Sequence, residues 1–334
     1  GPMKVVVTGG TGMIGRKLIA SLLAVPELID RDGRPAAITS ITAFDVTPPD
    51  PLLPEDPRLN FVAGEISDAN AIATLINDGT DAVFHLAAVV SAQAEEDFDL
   101  GMRVNLDGTR IVLERCRALD HAPRVVYASS VAAFGGEMPS VIDDDVTPNP
   151  QTTYGVTKVI GEYLIDDYSR KGFIDGRALR LPTIVVRPGR PNKAASTWAS
   201  SILREPLAGH SAVCPVTEDT KMWMLSPRRV VAAFRHAQAL EPKAWGPHRV
   251  VNLPGITGSV AESLEALSRA GGNSARARVE FEYDPFIQDI VNGWANTFST
   301  PRSEAMGFHA DADLDEIVSV FLEDDLKTQG VYYE

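Results

Sequence analysis

Tyr154 and Lys158 stand four residues apart in T-Y-G-V-T-K. On a helix that spacing puts both side chains on one face. A free tyrosine titrates near ~10, too high for a base at neutral pH. A neighbouring ammonium favours the phenolate and draws that value down. The pair could therefore take a proton from a hydroxyl group. A third residue suits the same task. The stretch Y-A-S-S-V-A-A-F-G carries Ser129 and Ser130 at the end of an apolar run. A hydroxyl at the carboxyl end of a sheet strand faces the ligand crevice. There Ser130 could hold a substrate oxygen while Tyr154 removes its proton. Taken singly, each group also has an ordinary explanation, as helix-surface residues and as a serine that caps a turn.

A second set of residues suits a dinucleotide. Val5 to Gly15 read V-V-V-T-G-G-T-G-M-I-G, with Gly9, Gly12 and Gly15 three apart. Val5 to Thr8 form a short apolar strand, and the pattern turns helical from Met13 and Ile14. Glycine permits the tight turn and a close approach of backbone to pyrophosphate. The helix N-terminus then offers N–H groups and a partial positive charge to the phosphates. Asp45 closes a second apolar strand, Ile38 to Phe44. A carboxylate there accepts the hydroxyls of an adenosine ribose and repels a 2′-phosphate. No arginine lies in F-D-V-T-P-P, so the expected cofactor is NAD rather than NADP.

These groups must be held by regular elements. Further strands are expected at Leu59–Ala63, Ala82–Leu86 and Arg124–Ala128, with helices at Arg103–Ala118 and Tyr154–Tyr168. Val25 to Pro35 read as an extended polar loop. Alternating strands and helices predict an α/β fold, a Rossmann-type doubly wound parallel sheet. After Arg187 the rhythm breaks at Pro188, Gly189 and Pro191. The expected division is an NAD-binding domain over 3–187 and a smaller C-terminal substrate lobe over 188–334, with some later segments returning to the first. An acidic amphipathic helix is expected near Ala312–Leu326.

Bulk properties narrow the function. The formal charge of -14 argues against a nucleic-acid partner. It also means that an anionic substrate needs local basic residues. No apolar run approaches membrane-spanning length, and nothing resembles a signal peptide. Gly1-Pro2 before Met3 look like a protease-cleavage scar and are set aside. Cys116 and Cys214 provide no disulfide framework; Cys116 sits in a helical pattern and reads as a core thiol. A soluble cytoplasmic enzyme without a metal is the expectation.

The order of these motifs resembles a known family. Glycine turn, Asp45, H-L-A-A at His85–Ala88, N-L-D-G-T at Asn105–Thr109, Ser130, Y-x-x-x-K and the late T-P-R-S-E-A-M-G-F segment follow one another. The chain is similar to extended short-chain dehydrogenase/reductases of the NAD-dependent epimerase/dehydratase type over nearly its whole length. One departure is Phe134, where many relatives carry tyrosine. The resemblance implies Ser130, Tyr154 and Lys158 as catalytic triad, and Gly9 to Ile14 around the pyrophosphate. It implies Glu65 and Ile66 against adenine, Leu86, Ala87 and Ala88 along the cofactor, Asn105 beneath it, and Pro182 and Thr183 beside the nicotinamide. His85 is expected to be a packed strand residue. The family often dimerises through two long helices, here near Asp99–Leu119 and Tyr154–Arg170, so a homodimer is expected.

Two segments, H-L-A-A-V-V-S-A-Q-A-E-E-D-F-D-L and R-L-P-T-I-V-V-R-P-G-R-P-N-K-A-A-S, are similar to family members that oxidise the C2 hydroxyl of a four-carbon sugar acid. By that resemblance Arg190, Asn192 and Lys193 would meet the substrate carboxylate, a natural role for basic side chains. Ser91 and Gln93, in the loop after the fourth strand, would meet its hydroxyls. Three alternatives share the scaffold. A nucleotide-sugar epimerase or dehydratase would regenerate its NAD. An L-threonine dehydrogenase would call for a carboxylate such as Glu95 or Asp97 to meet the substrate ammonium. A non-enzymatic NAD-sensing module fits least well with an intact Tyr and Lys.

Overall fold

The computed structural model describes residues 2–189 and 194–329. The first half runs β1 (Met3–Thr8), α1 (Met13–Ala24), β2 (Glu27–Ile29), β3 (Pro35–Asp45), β4 (Leu59–Ala63), α2 (Ala69–Leu75) and β5 (Thr80–His85). Then come α3 (Ser91–Glu96), α4 (Phe98–Gly101), a π-helical turn over Met102–Asp107, α5 (Gly108–Ala118), β6 (Arg124–Ser130), α6 (Thr153–Arg170) and β7 (Asp175–Leu181). The second half continues with β8 (Thr183–Ile184), α7 (Thr197–Leu207), β9 (Ala212–Cys214), β10 (Lys221–Leu225), α8 (Pro227–Ala239), α9 (Pro242–Trp245) and β11 (Val250–Asn252). It ends with β12 (Ile256–Ser259), α10 (Val260–Arg276), β13 (Val279–Phe281), α11 (Pro285–Asn292), α12 (Pro301–Ala305), α13 (Leu314–Asp324) and α14 (Leu326–Gln329).

The chain divides into two compact units. The first comprises Gly1–Ala133, Pro150–Arg180 and Val231–Asn252. Its sheet has the order β11-β7-β6-β5-β1-β3-β2, with β4 also paired to β3. β1 runs parallel to β3 and β5, β5 to β6, β3 to β4, and β7 to β11. Strands covered on both faces should be largely apolar; all six residues of β5 are buried, with Ala82, Val83 and Phe84 at its centre and the polar Thr80, Asp81 and His85 at its ends. Helix starts are fixed by short polar side chains. Asp68 accepts from the N–H groups of Asn70 and Ala71 ahead of α2, and Thr152 from Gly155 ahead of α6. The core gathers Val6, Phe44, Ile72, Val83, Val112, Val125 and Ile165.

Two local expectations differ from the structure. The segment read as an extended polar loop contains β2, which pairs antiparallel with the start of β3 through Glu27↔Ala37 and Leu28↔Ala36. Leu28 supplies the buried residue that makes this short strand worth forming. The helix expected from Arg103 begins as a π-helical turn before α5 takes over.

The second unit comprises Phe134–Asn149, Leu181–Val230 and Leu253–Glu334. β12, β10 and β8 form a three-stranded sheet, and β13 pairs with β9. A capping box starts α10, with Ser259 and Glu262 satisfying each other's backbone N–H. Its core is built from Trp198, Ile202, Leu203, Met224, Leu264, Leu267, Ile317 and Phe321. The acidic helix expected near the C-terminus is α13.

Candidate active site

The glycine turn joins β1 to α1 as the spacing requires. Gly9 has φ +68°, and a Cβ there would come within 2.9 Å of Ala87 N. A Cβ on Gly15 would sit 2.2 Å from Gly9 O, so α1 packs directly on the turn. Gly12 differs, since a Cβ there would touch only Gly9 O, at 3.4 Å. It is also the N-cap of α1, has no side-chain cap, and is followed by no acidic residue in the first turn. Met13 and Ile14 open that helix. An open, uncapped helix start free of carboxylates is what an incoming pyrophosphate needs.

Asp45 lies at the tip of β3, beside this turn. Its Oδ2 accepts from Thr11 N–H at 3.2 Å and Thr11 O–H at 2.8 Å, and its Oδ1 from Val46 N–H at 2.8 Å. The carboxylate is thus fixed in place and retains acceptor capacity for a diol. Glu65 is exposed. Ile66 is buried, in contact range of Gly108 on α5, where a Cβ would approach its Cγ2 to 2.6 Å. Leu86, Ala87 and Ala88 are half-buried in the loop after β5. Asn105, in the π-helical turn, is buried and grips that loop. Its Oδ1 accepts from Val89 N–H at 2.8 Å, and its Nδ2 donates to Val89 O at 3.2 Å.

Ser130 ends β6, and its Oγ accepts from Ala132 N–H at 3.0 Å. Tyr154 lies in the first turn of α6, half-buried. Lys158, one turn on, is buried and donates from Nζ to Ala128 O at 2.7 Å. Its Nζ lies 5.5 Å from the Tyr154 ring centroid and 5.0 Å from that of Tyr127. Burial draws the Lys158 pKa down to about 8, against the support of nearby Glu162. Burial also drives His85 down to about 3, with the Lys158 charge adding to the effect, so this imidazole is neutral. It stacks on Tyr127, as a packed strand residue should.

Sequence reasoning passed over Glu162, which is buried one further turn along the same face of α6. Its Oε2 accepts from Ser129 O–H at 2.5 Å and Arg180 Nε at 2.9 Å, and its Oε1 from Arg180 Nη2 at 2.7 Å. Three consecutive residues of β6 thus serve the helix and the site. Ala128 O accepts from Lys158, Ser129 donates to Glu162, and Ser130 presents its hydroxyl. The signal was the extended spacing Y-x-x-x-K-x-x-x-E.

The substrate candidates fare differently. Ser91 and Gln93 are exposed on α3 and not in a loop, because the carbonyl of Val90 opens a helix by accepting from Ala94 N–H. Glu95 Oε1 accepts from Thr153 N–H at 2.6 Å at the start of α6, and Asp97 caps α4 through Leu100 N–H. Both carboxylates already serve helix starts, which leaves them poorly suited to a substrate ammonium. Pro182 is buried in the second unit, and Thr183 begins β8, paired with Met224. Phe134 is buried there, edge-on to Phe298. Arg190, Asn192 and Lys193 lie outside the described residues.

The model of the NAD dependent epimerase/dehydratase family matches residues 5–229. The chain belongs to that family. Within it, the chain is 50% identical to D-erythronate dehydrogenase of Cupriavidus necator over 322 residues, 96% of this chain and 98% of that one. It is 42% identical to D-erythronate dehydrogenase of Haemophilus influenzae over 325 residues, 97% and 100% of the two chains. Among solved structures, a nucleoside-diphosphate-sugar epimerase of Agrobacterium tumefaciens superposes with a TM-score of 0.93 at 39% identity, covering 98% of this chain and 95% of the other. The chain is thus an NAD-dependent dehydrogenase of the extended short-chain dehydrogenase/reductase family. The open Gly12 cradle, the uncapped start of α1 and the fixed Asp45 carboxylate are the donor and acceptor set that an NAD molecule requires.

Proposed function

We propose that this protein oxidises the C2 hydroxyl of a four-carbon sugar acid, D-erythronate, to 2-dehydro-D-erythronate with NAD. The observation that carries this reading is 50% identity across 96% of the chain to a D-erythronate dehydrogenase. In this reading the first unit is the NAD-binding domain and the second the substrate lobe. Gly9, Gly12, Met13, Ile14 and Gly15 receive the pyrophosphate and Asp45 the adenosine ribose. Glu65 and Ile66 meet the adenine. Leu86, Ala87, Ala88, Asn105, Pro182 and Thr183 border the rest of the cofactor. Bound NAD supplies the hydride acceptor.

The chain's own residues manage the proton. Tyr154 takes it from the C2 hydroxyl. The Lys158 ammonium, one helical turn away, favours the Tyr154 phenolate. The Ser130 hydroxyl donates to the same substrate oxygen and fixes its direction. Arg190 and Lys193, with Asn192, offset the overall negative field at the substrate carboxylate. Ser91 and Gln93 contact its hydroxyls. The protein works in the cytoplasm as a homodimer, a reading supported by two buried free thiols and by apolar side chains exposed on α4 and α6, namely Phe98, Val156 and Tyr163.

The deciding experiment supplies the purified protein with NAD and, separately, D-erythronate, nucleotide sugars and L-threonine. NADH should accumulate in step with oxidised D-erythronate. Interconversion of a nucleotide sugar without net NADH would establish the epimerase reading instead, and NADH from L-threonine alone the amino-acid dehydrogenase.

A further inference from the structure

The loop Leu86–Val89 is held from two sides, and one buried imidazole joins them. Thr8 ends β1, immediately before the glycine turn. Its hydroxyl oxygen accepts from Leu86 N–H at 3.0 Å and from Ala87 N–H at 3.1 Å. A hydroxyl oxygen has two lone pairs, and both are engaged. Its own proton must point elsewhere, and His85 Nδ1 lies 2.7 Å away. Nδ1 is therefore the acceptor, and a neutral ring carries its hydrogen on Nε2. That nitrogen lies 2.9 Å from Thr109 Oγ1, whose hydroxyl donates to Asn105 O at 2.8 Å. Asn105 closes the circuit through its two bonds to the Val89 backbone.

The opposite tautomer fails the same count. Thr8 Oγ1 would face three N–H donors with two lone pairs, so Leu86 N–H would have to give up its 3.0 Å bond there and fall back on its longer contact, 3.3 Å, to Thr8 O. Thr109 would have to turn its proton toward Nε2, leaving the Asn105 carbonyl without it. An imidazolium fails at the Thr8 end for the same reason, since its added Nδ1–H is again a third donor to that oxygen. Thr8, His85, Thr109 and Asn105 are all at most 2% exposed, so water cannot repair a misdirected bond.

We propose that His85 is the positioning residue of the cofactor loop: fixed as its Nε2–H tautomer, it links the end of β1 to the π-helical turn and holds Leu86–Val89 at both ends. The inference rests on the reading, proposed above, that Leu86–Ala88 line NAD. It assigns His85 no proton transfer with substrate. Its effect is on the shape of the surface that receives the cofactor.

Two measurements test it. Long-range nitrogen–proton spectra of NAD-free protein labelled with 15N-histidine report the tautomer of each of the six histidines. The signal lost in His85→Phe, or in His85→Gln should that variant not fold, identifies the residue. It should show a bare Nδ1 and a protonated Nε2 from about pH 5 to 8, without titrating. A protonated Nδ1, or a titration in that range, would overturn the proposal. The second measurement is NAD affinity. Thr8→Val, which keeps the side-chain shape but removes the hydroxyl, should weaken NAD binding roughly tenfold. Thr8→Ser, which restores the hydroxyl, should recover most of that loss. Wild-type affinity in Thr8→Val would also overturn it. If the wild-type protein itself does not bind NAD, the cofactor assignment falls, while the tautomer spectrum still decides the hydrogen-bond order.

Discussion

Lys158 carries the sharpest conflict at the scale of single residues. It must be charged to help Tyr154, yet it is buried, and its pKa falls to about 8. The ammonium is populated below that value and is lost as pH rises through it. The groups around it are the neutral His85, Tyr127, Tyr154 and Glu162, with Arg180 behind Glu162. Glu162→Gln removes the negative charge that supports the ammonium, and the positive charge of Arg180, no longer opposed by Glu162, pushes the same way. The alkaline limb of kcat/KM, which reports the free enzyme, should therefore move to lower pH; an unmoved limb would show that Glu162 does not act on Lys158. Tyr154→Phe should lower kcat by about 10²–10⁴-fold, the range for a lost general base, with NAD affinity close to wild type by titration. Turnover near wild type in that variant would remove Tyr154 from the role. Tyr154 and Lys158 were legible because both lie on one helix, where spacing is geometry. Glu162 shares that helix, but its partners Ser129 and Arg180 come from separate strands, and no local pattern announces them.

Among the elements, the glycine turn separates binding from folding within a few residues. Gly12 has φ -70°, open to any residue, and space around its Cα. Gly12→Ala should cost under about 1 kcal/mol, the difference between glycine and alanine at an N-cap. It should nonetheless raise the Kd for NAD at least about tenfold, because the methyl group occupies the cradle. Gly15→Ala forces a Cβ against Gly9 O and should lose about 1–3 kcal/mol in denaturant unfolding, as overpacking does. Equal stability losses in the two variants would contradict this division of labour. The central strands were legible because burial on both faces demands unbroken apolar runs. β2 and α3 were not. β2 is only three residues long with Leu28 alone buried, and Ser91–Glu96 has only Ala94 buried, so neither segment carries a period of its own. The π-helical turn was equally hidden, since Met102–Asp107 contains no glycine or proline to set it apart from the helices on either side.

For the whole molecule, chain order and spatial order part company. Arg124 and Arg177, deep in the first unit, donate to the carbonyls of Gln238, in the last turn of α8, and Leu240, just beyond it, and Arg177 also to Ala237. Arg249 joins Arg177 on Asp175. Burial alone would raise the Asp175 pKa, but the two arginines outweigh it and hold it below the ordinary value. A depressed carboxyl pKa contributes stability above its unfolded value that is lost as pH falls through the folded one. Asp175→Asn should cost about 3 kcal/mol, since it strands buried cations, and should flatten the acid limb of stability. Assembly is tested separately. Val156→Arg combined with Tyr163→Arg should leave a monomer in sedimentation, whereas a dimer that survives both would place the interface elsewhere. A change of rhythm after Arg187 and a return of some later segments were expected from the sequence, but not that Val231–Asn252 is the segment that returns, because nothing local marks β11 as the neighbour of β7. That return also sets a timetable for synthesis. A ribosome that has released the glycine turn, Tyr154 and Lys158 has still not delivered the carbonyls that Arg124 and Arg177 require. A nascent chain halted before Asn252 should remain sensitive to protease, however much of its catalytic sequence has already emerged.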